Sequence, residues 1–289
     1  MKTTRTRPVS GRRGRQGGWG IAELMIAVFI GLLVVGGLFS LLYSLTQASG
    51  DQGDMATLQD NERVALMALQ NVVETAGYLP QNYYFTTATS LPSISAALPA
   101  GGSYATAGQF LTGSDGGSNA SDSIGVRYVS GSAASGADKV TDCVGHTYTT
   151  SSVNGYPFTT QFYVETSGSP AVTTLHCWVK DTATGSTGVD YPIASGLSTL
   201  NGPDPTTGVD RSALQIKYGV DTNHSGTVNQ YVTAGSMSGY WWNGTKSNVR
   251  SIVFTLNFMN PLYVSDTKTP GQKSVLPVSL TVFLLNSPT

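Results

Sequence analysis

The chain has 289 residues, enough for one large or two small domains with a buried core. Its formal net charge is −1, but residues 1–18 carry six basic side chains and no acidic one. The remainder holds ten basic residues against seventeen acidic, a net of −7, which argues against nucleic acid as the ligand of the main domain.

Residues 1–18 read as a basic leader, with Lys2, Arg5, Arg7, Arg12, Arg13 and Arg15 directly ahead of an apolar run. From Gly17 to Ser40 only Glu23 interrupts apolar and small residues, and the run reaches Leu45 with only Ser40, Tyr43 and Ser44 as further mild interruptions. A spanning helix needs about 20 residues. Basic charge stays on the cytoplasmic side, so the rest of the chain is expected to cross a membrane. Small residues in "SLLYSLTQASGDQG" leave a second possibility open, an ordinary signal cut near Ala48. Against it, the core is long for a signal and the helical pattern resumes downstream.

Residues 19–47 read as the apolar helix and 48–79 as its amphipathic continuation, with "ASGDQGD" as an interruption open to a kink. Met55, Leu58, Ala65, Leu66, Leu69, Val72, Val73 and Ala76 fall at helical spacing. Gly77 and Pro80 end the pattern. If continuous, residues 19–76 make a rod of roughly 85 Å at 1.5 Å per residue.

Beyond Pro80 the chain turns to Ser, Thr, Gly and Tyr with short β-branched runs. Strands are predicted at 122–130, 159–166, 173–180, 212–220, 249–259 and 277–286, with a hairpin loop at 166–172. Segments 101–121, 131–139 and 200–212 read as surface loops. The fold class is therefore α+β: a long N-terminal helix packed on an antiparallel β-rich domain spanning residues 80–289.

Cys143 and Cys177 both lie beyond the apolar run. In an oxidising compartment a disulfide is their natural pairing, worth about 4 kcal/mol by chain entropy. Two free buried thiols are the alternative. Neither a CxxC pair nor a His cluster accompanies them, so a metal site is not expected there.

Two readings of Glu23 stand side by side. A carboxylate at the centre of a spanning helix costs about 2.5–3.5 kcal/mol, and near the cytoplasmic end it is free to snorkel to the interface. Alternatively, cleavage between Gly18 and Trp19 creates an α-amino cation four residues before Glu23. In apolar surroundings amine and carboxylate attract strongly, within one chain or between neighbours.

The stretch "GWGIAELMIA", with Gly18, Trp19 and Glu23 after a short basic leader, resembles the class III signal of type IV prepilins and pseudopilins. Trp19 departs from the usual Phe but stays aromatic, and Gly20 and Ala22 also depart from common choices. The resemblance implies cleavage by a prepilin peptidase, N-methylation of Trp19 and assembly through Glu23. "ALMALQNVVETAGY", "DCVGHTY", "LHCWV", "LQIKYGVDTNHSGTVNQYV" and "PVSLTVFLLN" are similar to segments of the PilW family of minor pilins. A pilin-like fold, residence in the inner membrane with the C-terminal domain periplasmic, and later inclusion in a surface pilus are what that similarity implies. The implied partners are the major pilin, other minor pilins and a PilY-type tip adhesin. The implied roles are pilus initiation, adhesion and twitching. A minor pseudopilin of type II secretion and an anchored, non-polymerising adhesin are the rival readings. Pilins often carry a proline in the apolar helix, whereas none lies between Pro8 and Pro80 here.

The loop "DTNHSGTVN" has the spacing of a calcium loop, with Asp221, Asn223, Ser225, the Thr227 backbone and Asn229 as candidate ligands. Only Asp221 is anionic and the twelfth position is Val232, so a polar hairpin turn is the competing reading. Tyr240, Trp241 and Trp242 either cover core beside an Asn-Gly turn or bind a partner. His146, His176 and His224 show no HExxH spacing, and no nucleophile elbow, phosphate loop or dinucleotide fingerprint appears. No enzyme activity and no cofactor are expected from these residues.

Overall fold

A computed structural model describes residues 20–79, 90–117, 120–130, 140–146, 156–181, 187–205, 208–237, 239–242, 247–263 and 273–285. The chain divides into two compact units, Met1–Gly53 and Asp54–Thr289.

One helix, α1, runs Ile21–Glu74. The expected interruption at "ASGDQGD" is absent: residues 48–54 are helical. Gly50 and Gly53 each cost a helix interior about 1 kcal/mol relative to Ala, but only proline removes the N–H and clashes with the preceding turn. In the first unit the apolar side chains from Ile21 to Leu45 are exposed.

In the second unit α1 buries Leu58, Ala65, Ala68, Leu69, Val72 and Val73, a stripe that matches the predicted spacing. Met55 and Leu66 are half-buried at its margins. The helix stops where Gly77 adopts φ +74°, a conformation that costs glycine little, and donates its N–H to Arg127 at 2.9 Å. Tyr78 then accepts the Val129 N–H at 2.9 Å, so the helix end is fastened to a strand edge.

The strands described are β1 Leu111–Ser114, β2 Ser123–Ser130, β3 Tyr156–Ser167, β4 Val172–Asp181, β5 Val189–Leu197, β6 Leu214–Val220, β7 Gln230–Val232, β8 Val249–Met259 and β9 Val275–Phe283. They form one antiparallel sheet ordered β1-β2-β3-β4-β5-β8-β6-β7, with β9 on β8. The fold is thus α+β, with a long N-terminal apolar helix followed by an antiparallel sheet. Inward residues of the sheet, among them Ile124, Phe162, Leu175, Ile216 and Phe254, share one core with the α1 stripe.

Two sequence expectations need correction. Segment 101–121 is no bare surface loop: Tyr104, Phe110 and Leu111 are fully buried and β1 lies within it. Segment 90–110 covers the second face of β2 and β3, where the Gln161 side chain donates to Gly101 and accepts from Ala100. Strand β5 went unpredicted because Pro192 and Gly196 break its pattern, and its mixed burial shows no clean alternation. Segment 131–139 lies outside the described residues.

Candidate functional site

Glu23 sits in the first turn of α1. Its Oε2 accepts the Gly20 N–H at 3.4 Å, which satisfies one of the helix's orphan donors and places negative charge at the positive end of the dipole. Gly18 and Trp19, the expected processing residues, lie outside the described residues. Around Glu23 the helix is long and apolar enough to cross a membrane.

Cys143 and Cys177 are joined as a disulfide. Asp142 builds the turn that presents Cys143, its Oδ1 accepting the N–H groups of Val144 at 3.0 Å and His146 at 2.8 Å. Cys177 lies fully buried in mid-β4, so the bond ties this turn to the centre of the sheet. His146 lies edge-on to Tyr191 at 5.7 Å.

The candidate calcium loop closes on itself. Asp221 accepts the Ser225 N–H at 2.9 Å and the Gly226 N–H at 2.8 Å, and Arg250 stands 3.7 Å from the same carboxylate. Burial by itself raises the Asp221 pKa, but those N–H groups and Arg250 outweigh it and hold the carboxyl below its ordinary value. Asn223 accepts from Ser225, and Asn229 accepts from the Thr222 N–H and hydroxyl. His224 takes φ +59° inside the turn. The loop's oxygens are therefore spent on its own backbone, the arrangement of an Asx-type turn.

The aromatic cluster covers core. Trp242 is buried edge-on to Phe110 at 6.1 Å, and Trp241 stands edge-on to Tyr218 at 4.8 Å. Gly108, at φ +90°, brings its backbone against Trp242 so closely that a Cβ there would lie 2.7 Å from the indole.

Strand register assembles a cluster that sequence reading missed. His176 Nδ1 lies 2.6 Å from Asp190 Oδ2, and Nε2 lies 4.0 Å from Glu165 Oε2. Tyr163 packs its ring 5.5 Å from the imidazole, and burial, reinforced by Asp190, pushes its phenol up to about 12. In the register of β3, β4 and β5, Tyr163 stands directly opposite His176 while Glu165 and Asp190 lie diagonal to it, a neighbourhood that the linear order of 163–190 does not reveal. With Nδ1 engaged by Asp190, the group acts as an ion-pair network when His176 is protonated.

Arg127 is fully buried on β2, its guanidinium 4.7 Å above the Tyr104 ring. Nη1 donates to Gln109 at 3.3 Å, whereas Nε and Nη2 meet no acceptor among the described residues. Burial lowers its pKa to about 10, so it stays charged at neutral pH. In the same unit, an open cleft of about 400 Å³ lies between Asp54, Thr57 and Leu58 of α1 and Ser195, Phe258 and Met259.

No known protein family, curated protein or solved structure matches the chain. The class that the fold and these features define is an α+β protein with an N-terminal helix apolar enough to cross a membrane and a disulfide-linked antiparallel domain.

Proposed function

We propose that this chain is a minor pilin of the PilW type, held in the inner membrane until it enters a type IV pilus near its initiating end. The observation that carries the reading is the order of parts at the N-terminus. A basic leader ends in Gly18, Trp19 follows, and Glu23 is the one carboxylate in a long apolar stretch that passes without a break into the amphipathic half of α1. A simple anchor needs neither the cleavage glycine nor a carboxylate at that depth. Partners on this reading are the major pilin, other minor pilins and a tip adhesin, with a prepilin peptidase for processing.

The test separates assembly from helix capping. Glu23→Gln keeps an oxygen to accept the Gly20 N–H but removes the charge; Glu23→Ala removes both. Each variant replaces the wild-type copy at native level, and membrane and sheared-filament fractions are blotted. On this reading both insert and are processed to a chain starting at Trp19, yet enter filaments poorly. Wild-type filament levels for both, or an intact mass beginning near Ser49, would overturn it.

A further inference from the structure

On the face of β3 and β4 opposite the one that buries Phe162 and Cys177, three metal-ligating side chains converge. One donor atom from each of Glu165, His176 and Asp190 lies within 4.8 Å of the others. Among the described residues no lysine or arginine pairs with either carboxylate. Two negative charges therefore flank one imidazole with no fixed cation beside them.

The two carboxylates play different parts. Asp190 Oδ2 stands 2.6 Å from His176 Nδ1, and the Tyr163 hydroxyl also bonds Asp190. An ionised carboxylate only accepts, so Nδ1–H and the phenol O–H are both donors to it. Asp190 thus fixes the tautomer and the angle of the ring. Nε2 is then the lone-pair nitrogen of the neutral imidazole, and Glu165 Oε2 lies 4.0 Å from it. One acceptor faces another, beyond hydrogen-bond distance and with no hydrogen between them. Two ligands on one tetrahedral zinc ion stand about 3.3 Å apart, given bonds of roughly 2.0–2.2 Å. The Glu165 side chain is 54% exposed, so rotation of its carboxylate closes that difference without moving a strand.

We propose that His176 Nε2 and Glu165 bind a divalent transition-metal ion of the zinc type, with Asp190 and Tyr163 orienting the imidazole from behind. Water completes the coordination, which leaves the site open on the protein surface. The imidazole selects against calcium and magnesium, which take oxygen ligands. The charge of the ion offsets the repulsion between the two carboxylates. The site belongs to the sheet and does not rest on the pilus reading.

The test uses the full chain in mild detergent, stripped with a chelator and titrated with zinc chloride in a calorimeter. One zinc per chain is expected. Glu165→Gln keeps the size and loses the anionic ligand; it should weaken binding about tenfold or more. Asp190→Asn touches no metal but releases the tautomer, and should weaken binding by about 10- to 100-fold. His176→Ala should abolish it. His146→Ala removes the other histidine beside a carboxylate and should leave the affinity unchanged. If His176→Ala fails to fold, the ring nitrogen resonances of His176 in the wild type still decide: zinc should shift Nε2 and leave Nδ1 protonated. No binding at millimolar zinc would overturn the proposal and leave an ion-pair network. Equal binding by wild type, Glu165→Gln and Asp190→Asn would overturn it too, as would loss of the Nδ1 proton when zinc is added.

Discussion

Asp122, just ahead of β2, accepts the backbone N–H of Ile216 on β6 through Oδ2 at 2.7 Å. Its other oxygen accepts the Gly116 N–H at 2.9 Å, and its own N–H donates to Leu214. One carboxylate thus binds the start of the sheet to a strand far along the chain, on the side of β6 that faces away from β8. Burial pushes the Asp122 pKa up to about 6, against the pull of those two N–H donors. The folded state therefore holds this proton more tightly than the unfolded chain does. Its contribution to stability is complete below the ordinary carboxyl value of about 4 and is lost as pH rises through about 6. In denaturation series between pH 4 and 7, the wild type minus Asp122→Asn difference should fall across that window and level off above it.

Asp221 should show the opposite sign. Its carboxyl is held below the ordinary value, so its contribution is present at neutral pH and lost as pH falls through the acid range. Because its oxygens already bind Ser225, Gly226 and Arg250, millimolar calcium should leave the melting temperature of the wild type unchanged. A calcium-dependent rise that Asp221→Asn abolishes would restore the metal reading.

The disulfide between Cys143 and Cys177 closes a separation of 34 residues. The paired Cys143→Ser, Cys177→Ser variant should lose about 2–4 kcal/mol of unfolding free energy. Thiol labelling of the unreduced, denatured wild type should leave both cysteines unmodified.

Gly108 combines φ +90° with the Trp242 indole 2.7 Å from where a Cβ would stand. Gly108→Ala should cost about 2 kcal/mol or more, from left-handed strain and overpacking together. A loss of Trp242 fluorescence burial, read by quenching, should accompany it.

Arg127 is charged, sealed from solvent and short of acceptors. Arg127→Met, which keeps the volume and removes the charge, should be neutral or stabilising in thermal melts. Arg127→Ala should destabilise, because it leaves a cavity beneath Tyr104.

The sequence by itself determined the features whose signal is local. Helical periodicity placed the stripe from Leu58 to Val73, β-branched runs placed β8 residue for residue, and turn chemistry at Asp221 and Asn223 named the loop that the structure closes. It determined Glu23 as the one carboxylate in its apolar run, because charge in a greasy segment is visible without a fold. Tertiary structure alone decided what depends on partners distant in the chain. Strand β1 exists because Leu111–Ser114 pair with β2, although its own four residues carry little strand signal. The cysteine pair became a bond through strand β4, and Glu165, His176 and Asp190 met through the register of β3, β4 and β5. That β9 pairs with β8 alone among the described residues was hidden for the same reason. Alternation in a sequence shows that a residue belongs to a strand, but which side of that strand stays unpaired is fixed only when the last neighbour is in place.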